Sequence, residues 1–314
     1  MNHWSLGFDI GGTKIYGALF HWDKSIPTCV HEITLPTERE KGYPHFLSKM
    51  AEIITMLCDQ GNILPHDLRK IALALPGSID PESKIMLSGN TPMLVGKNIH
   101  EDLKSHLNFS PSLAFDCEND GNCFALAEVH HGVGLKFQSE TGIHPEKQHA
   151  LGIVLGTGVG GGIILHGKIY NGHRGGAMEV GHTVLVPGGV PCYCGRNGCA
   201  EQYLSGLALE REYFELTGVK KRALEILTSH DDPAALQVKK DYFHYFLNFV
   251  ANLVNFFDPH YIVLGGSLSK HKEFYSFFDK NLGDHCFLPN TQIPIYPFHL
   301  NHTAGALGSL LRKI

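Results

Sequence analysis

Leu155-Gly156-Thr157-Gly158-Val159-Gly160-Gly161-Gly162-Ile163-Ile164-Leu165 is a glycine run between apolar residues, and its downstream flank decides the fold. Gly156, Gly158 and Gly161 satisfy the G-x-G-x-x-G spacing, but a dinucleotide loop must open a helix whose N-terminus receives the pyrophosphate. Here residues 162–165 are β-rich and meet His166-Gly167 at once, so the loop joins two strands. A nicotinamide oxidoreductase is thereby disfavoured. Gly162 to Lys168 has the spacing of a Walker A loop, yet Ile169 stands where Ser or Thr must reach magnesium. A glycine hairpin remains.

The same device stands near the start of the chain. Apolar residues 5–10 and 15–20 flank Gly11-Gly12-Thr13-Lys14, and a third run, 29–35, completes an antiparallel meander. Phe46, Met50, Ile53, Ile54 and Leu57 then recur at helical spacing. Residues 70–75 read as a buried strand stopped by Pro76-Gly77, 112–116 as another, and 122–129 as a helix. A second cycle has strand 150–155, the glycine loop, strand 162–165, a helix over 240–257 and strand 261–264. Strand, glycine turn, strand occurs twice, which predicts a duplicated α/β architecture with a cleft between its halves. The expected domains are a small one at 1–118 and a large one at 119–303, with the last helix, about 304–314, returning to the first.

In each loop bare backbone lets N–H groups approach phosphate oxygens, and Thr13 and Thr157 add hydroxyls. A tight hairpin alone would explain one loop; two in matching halves favour phosphate. Asp9, beside the first loop, suits Mg²⁺ or its water shell better than it suits phosphate.

Composition narrows the rest. The 314 residues are 43% hydrophobic and 18% charged, which suits a soluble protein of two modest domains. A net charge of −5 lacks the basic surface that a nucleic-acid partner demands. Asn248, Asn252 and Asn255 interrupt the most membrane-like run, and residues 1–4 show no secretory n-region, so a cytoplasmic protein without a membrane partner is expected.

Of eight cysteines, Cys192, Cys194 and Cys199 crowd together, with His182 upstream. Three thiolates and an imidazole are what tetrahedral Zn²⁺ takes, and four protein ligands leave no open position, so the metal is structural. Glu179 and Glu201 bracket the cluster. Between the glycine loops stands Glu118-Asn119-Asp120-Gly121-Asn122, after a strand and at a helix start. A carboxylate there fits the base that a phosphoryl acceptor hydroxyl needs, but an Asp or Asn helix cap fits equally well. Spacing alone does not choose.

Taken together, Asp9-Ile10-Gly11-Gly12-Thr13-Lys14, residues 155–162, Gly181-His182, Cys192-Tyr193-Cys194-Gly195-Arg196-Asn197-Gly198-Cys199-Ala200-Glu201, residues 258–266 and Thr303-Ala304-Gly305-Ala306-Leu307-Gly308 resemble the ROK family of bacterial sugar kinases and repressors. The resemblance runs nearly end to end. It implies the two-domain actin-like, ribonuclease-H-like ATPase fold, with ATP in the interdomain cleft and a hexose acceptor. Asp120 matches the family's catalytic aspartate, although Gly121 replaces the usual Ala. Asn90, Asn119, Glu179, His182 and Glu201 match sugar-binding positions, and Asp120 would touch the sugar too. Gly11, Gly12, Thr13 and Lys14 with Gly156, Thr157, Gly158, Gly160 and Gly161 would hold ATP. Gly265 and Gly266 fall in its adenosine pocket, where Ser267 replaces a usual third glycine. A homodimer is also expected.

The expected activity is ATP-dependent phosphorylation of a hexose or N-acetylhexosamine at O6. Residues 122–128 and Gly96-Lys97 look most like the family's N-acetylglucosamine kinases, whereas Pro191-Cys192-Tyr193-Cys194-Gly195 looks as much like its fructokinases. Glucokinase or fructokinase activity is the alternative within the family. A non-catalytic sugar sensor is the alternative of another class; the repressors carry a DNA-binding domain before the kinase-like core, for which residues 1–8 leave no room.

Overall fold

A computed structural model describes residues 3–107, 113–289 and 291–312. The chain divides into two compact units. The first runs to Glu128 and takes in Tyr170–Ala177 and the chain from Leu300 onward; the second comprises Val129–Ile169 and Met178–His299. The border expected after residue 118 therefore lies further on, inside a helix that starts at Asp120.

In the first unit the meander is β1 (His3–Ile10), β2 (Lys14–Asp23) and β3 (Ile26–Pro36). Helix α1 (Tyr43–Gln60) comes next, then β4 (Leu68–Leu75), the small hairpin β5 (Gly77–Ile79) and β6 (Met86–Gly89), α2 (Ile99–Leu107), β7 (Ala114–Asn119) and α3 (Asp120–His131). The strand expected at 112–116 begins at Ala114, and Ser112 lies outside the described residues. The sheet order is β3-β2-β1-β4-β7, with β1, β4 and β7 parallel.

Opposite faces of this sheet are covered by different helices, and two glycines show why. Gly17 faces α1: a Cβ there would stand 3.1 Å from Ile53. Gly7, on the other face, lets the C-terminal helix (Ala304–Leu311) approach so closely that a Cβ would stand 2.2 Å from the Ala306 carbonyl. Being covered twice, β1 and β4 are buried along most of their length, β4 as a continuous apolar run over Ile71–Leu75, whereas the outer strand β3 alternates between half-buried and exposed residues.

The second unit repeats the plan. After α4 (Val133–Thr141) come β8 (Ala150–Leu155), β9 (Val159–Leu165) and β10 (Lys168–Ile169), then α5 (Glu201–Leu204), α6 (Gly206–Thr217), α7 (Ala223–Leu227), α8 (Pro233–Phe257), β11 (Tyr261–Gly265), α9 (Glu273–Asn281) and β12 (Ile295–Pro297). The order β10-β9-β8-β11-β12 matches the first sheet position by position, with β8, β11 and β12 parallel. The core gathers Tyr242, Phe246, Phe274 and Phe278 between α8 and α9. Helix α8 starts earlier than the expected residue 240, capped by Asp232, whose carboxylate accepts the N–H groups of Ala234 and Ala235. No helix of the described residues is long and apolar enough to cross a membrane.

Candidate active site

Parallel strands bring their carboxyl ends to one edge, and in each unit that edge carries the singled-out residues. In the first unit β1 ends at Asp9-Ile10, β4 leads into Pro76-Gly77 and β7 ends at Asn119. The β1–β2 turn is tied down by its own chain: Gly11 N–H donates to Lys14 O (2.8 Å), and the Thr37 hydroxyl donates to Gly11 O (2.7 Å). Gly12 is open, its nearest neighbours being Arg39 and the Thr91 hydroxyl, while Thr13 and Lys14 are exposed. A loop of this shape offers N–H groups to an anion without a side chain in the way.

Burial raises the Asp9 carboxyl to about 6, against the pull of the Lys14 ammonium. The bare Cα of Gly305 makes room for that carboxylate: a Cβ there would stand 2.7 Å from Oδ2. An uncomfortable half-buried carboxylate beside an open phosphate-type loop fits a divalent cation, which would reverse the shift.

The β5–β6 hairpin gathers the next residues. Gly77 and Gly89 pair, and a Cβ on Gly77 would meet Ser88 O at 2.0 Å. Asn119 Nδ2 donates to Gly77 O (3.2 Å), and Asn90, exposed, succeeds Gly89 with its Oδ1 accepting the Thr91 hydroxyl (3.2 Å). Asn119 Oδ1 also accepts the Asn122 N–H (3.0 Å), so Asn119 caps α3 and still keeps one amide hydrogen to offer. Asp120 Oδ1 accepts the Gly121 N–H (2.8 Å). Cap and base are thus divided between two neighbours, and Asp120 need not be the capping residue.

In the second unit β8 and β11 deliver Leu155 and Gly265 to the same edge. Gly156 N–H donates to Gly158 O (3.0 Å), and Gly206 N–H donates to Gly156 O (2.7 Å). Thr157 and Gly160 are exposed, while Gly161 is buried against Met178. Gly266 adopts φ +84 and abuts Leu155 O, where a Cβ would stand at 2.2 Å.

Glu201 does something that spacing does not announce. Its Oε2 accepts the Val159 N–H (3.0 Å) and lies where a Cβ of Gly158 would be, 2.5 Å away. Two residues after Cys199, this carboxylate clamps the second glycine loop. Glu179 is exposed, at the head of a short 3₁₀ turn (Val180–His182). Before it stands buried Met178, a non-glycine residue at φ +67, a strain that surrounding packing must hold.

His182, Cys192, Cys194 and Cys199 converge with all four donor atoms within 4.8 Å of one another. Cys192 Sγ lies 3.6 Å from His182 Nδ1, and Cys194 Sγ lies 3.5 Å from Cys199 Sγ. A tetrahedral zinc with Zn–S near ~2.3 Å spaces its donors by roughly 3.8 Å, so the quartet fits. The other imidazole nitrogen, Nε2, faces the Tyr193 hydroxyl at 3.0 Å, with the rings edge to face. Tyr193 is a site neighbour that sequence reasoning missed.

The ROK family model matches residues 5–312. The chain belongs to the ROK family. It is 32% identical over 292 residues to the N-acetyl-D-glucosamine kinase of Aliivibrio fischeri, covering 89% of each chain. It is likewise 32% identical to the N-acetyl-D-glucosamine kinase of Pasteurella multocida, over 88% of each. Among solved structures, the ROK hexokinase of Thermus thermophilus superposes with a TM-score of 0.79 at 27% identity, over 98% of this chain and 97% of that one. The ROK fold in question is the actin-like ATPase fold, and the duplicated sheet order is its signature in this chain.

Proposed function

We propose that this ROK protein transfers the γ-phosphoryl group of ATP to O6 of N-acetyl-D-glucosamine. Its relatives of that name support the reading, and one observation carries it: Asp9 with its open loop, Asn119 and Asp120 share the carboxyl edge of one sheet, and Asn119 ties down the hairpin that leads to Asn90. Asp120 takes the proton of the sugar O6 hydroxyl as that oxygen bonds to the γ-phosphorus and the bond to the β,γ-bridging oxygen breaks, releasing ADP. Asn90 and Asn119 hold sugar hydroxyls, joined by Glu179 and by the outward edge of His182. Backbone N–H groups of residues 11–14 and 156–161 hold the phosphates, and Gly265-Gly266 leaves space for the adenosine.

Asp9 would hold Mg²⁺ or its water shell, which would neutralise charge on the phosphates. His182, Cys192, Cys194 and Cys199 would hold Zn²⁺, which would fix their loop, and through Cys199-Ala200-Glu201 that loop braces Val159. A cytoplasmic homodimer belongs to the same reading and rests on the family resemblance.

The test is kcat/KM across N-acetylglucosamine, N-acetylmannosamine, glucose, mannose and fructose, with the product's phosphate located by NMR. N-acetylglucosamine is expected first, glucose slower and fructose poor. A fructose value above the others overturns the substrate. Asp120→Asn should cut kcat by ~10²–10⁴ while the sugar still binds; near-parental turnover in the folded variant overturns the base. Absence of ADP release with every sugar would leave a sensor.

A further inference from the structure

Glu118 is a buried and heavily engaged side chain near the site, and the proposed chemistry does not use it. It is 3% exposed, yet it is a carboxylate, and four donors from separate places in the chain converge on it. Oε1 accepts the Asn119 N–H (2.9 Å) and Asn122 Nδ2 (3.1 Å). Oε2 accepts Asn171 Nδ2 (2.7 Å) and pairs with Arg312 Nη1 (3.2 Å). Arg312 is shared with Asp116 at 3.2 Å, so one guanidinium faces two carboxylates.

Such an arrangement is a poor way to stabilise a fold. A buried ion pair gains little over an apolar pair of equal volume, and β7 is buried on both faces, so Val or Leu would serve there. What the carboxylate does achieve is geometry. It fixes Asn122, whose N–H holds Asn119, whose amide in turn holds Gly77 and the hairpin leading to Asn90. It also fixes Asn171 in the strap Tyr170–Ala177, which the first unit claims and which runs directly into Met178 and Glu179. The strap is seated again at Gly175, where a Cβ would stand 1.9 Å from Ile79 O.

We propose that Glu118 is a positioning residue for phosphoryl transfer: it sets the Asn119–Asp120 turn and fastens to it the strap that delivers Glu179. The proposal rests on the sugar-kinase reading with Asp120 as base. Displacing a reacting group by about 1 Å costs on the order of 10²-fold in rate.

The isosteric Glu118→Gln keeps the volume but puts an NH₂ against two donors whichever way the amide is turned. Expected are a kcat ~10–100-fold below the parent and a sugar Kd several-fold weaker, since Asn119 and Glu179 hold the sugar, with the KM for ATP within about threefold. Because Glu118 acts through the turn, adding Glu118→Gln to Asp120→Asn should cost less than about a further twofold. A kcat within twofold of the parent, or equal losses in both backgrounds, overturns the proposal. Should Glu118→Gln fail to fold, Asn171→Ala removes one bond of the same set; a several-fold loss of kcat at constant KM for ATP is expected, and an unchanged kcat overturns the proposal. Parental turnover in Asp120→Asn alone would instead bring down the Asp120 assignment, a separate result from either variant.

Discussion

Asp9→Asn separates what the fold prefers from what the proposed chemistry needs. Burial raises the Asp9 pKa from 3.8 to about 6, with Lys14 opposing. The native state therefore binds this proton more tightly than the unfolded chain does. Stability falls as pH rises from about 4 through 6 and stays low above, the reverse of an ion-paired aspartate. A shift of roughly two units is worth about 3 kcal/mol at pH 8, and about 1 kcal/mol already at pH 4.5. These are ceilings, because Asp9 keeps partial solvent access and the first turn of the C-terminal helix at Gly305 favours the charge. Asn should recover that cost: a Tm gain of up to roughly 5 °C at pH 8 that narrows toward pH 4.5, measured calorimetrically without nucleotide or magnesium. Glu212, pushed up to about 7 by burial, titrates over an overlapping range, but it contributes equally to both proteins and cancels in their difference. The same variant should lose most of its turnover. Equal or lower Tm than the parent at pH 8, or a gap that does not narrow in acid, would refute the reasoning.

Two further outcomes test the second unit. Cys194→Ser should release metal, about one zinc per chain in the parent by elemental analysis, and should raise the KM for both sugar and ATP, because Cys199 and Glu201 share one loop; a parent purified without chelators that holds no zinc would count against it. Gly158→Ala must push the Glu201 carboxylate off Val159, so the KM for ATP should rise about tenfold while stability drops by no more than ~1.5 kcal/mol, one hydrogen bond's worth; unchanged nucleotide kinetics would show that the clamp is idle.

The glycine hairpins were legible because alternation, turn and alternation are local signals, and both sheets grow from them. Helix α8 was legible only from its middle, although Asp232-Pro233 is a readable start; its interrupting Asn252 and Asn255 lie on the exposed face. Strand β12 is three residues ending in Pro297, too short for any period to show. The convergence of His182, Cys192, Cys194 and Cys199 could be read from spacing since they are near in sequence. Glu201 on Val159 and Asn171 on Glu118 could not: partners 42 and 53 positions apart meet only once the sheets have formed. Tyr193 sat in plain view inside the cysteine motif, but its bond to His182 depends on which imidazole nitrogen turns to sulfur.

Three costs accumulate at the carboxyl edges of the sheets: a raised carboxyl at Asp9, a left-handed non-glycine at Met178 and a buried carboxylate at Glu118. None of them is what stability alone would select. Met178 holds strain that aims Glu179, and Glu118 accepts desolvation to hold a turn. Among the described residues the charge that opposes the Asp9 shift is Lys14, on the exposed rim of the same loop. A cation brought in with a polyphosphate would remove the Asp9 cost at the moment of binding, so part of the binding energy goes to relieving a defect of the free protein. Filling that defect permanently, as Asn would, gives a firmer protein with less reason to bind. Stability and turnover should therefore move in opposite directions at Asp9, whereas Glu118→Gln, which breaks bonds rather than relieving a charge, should lower both.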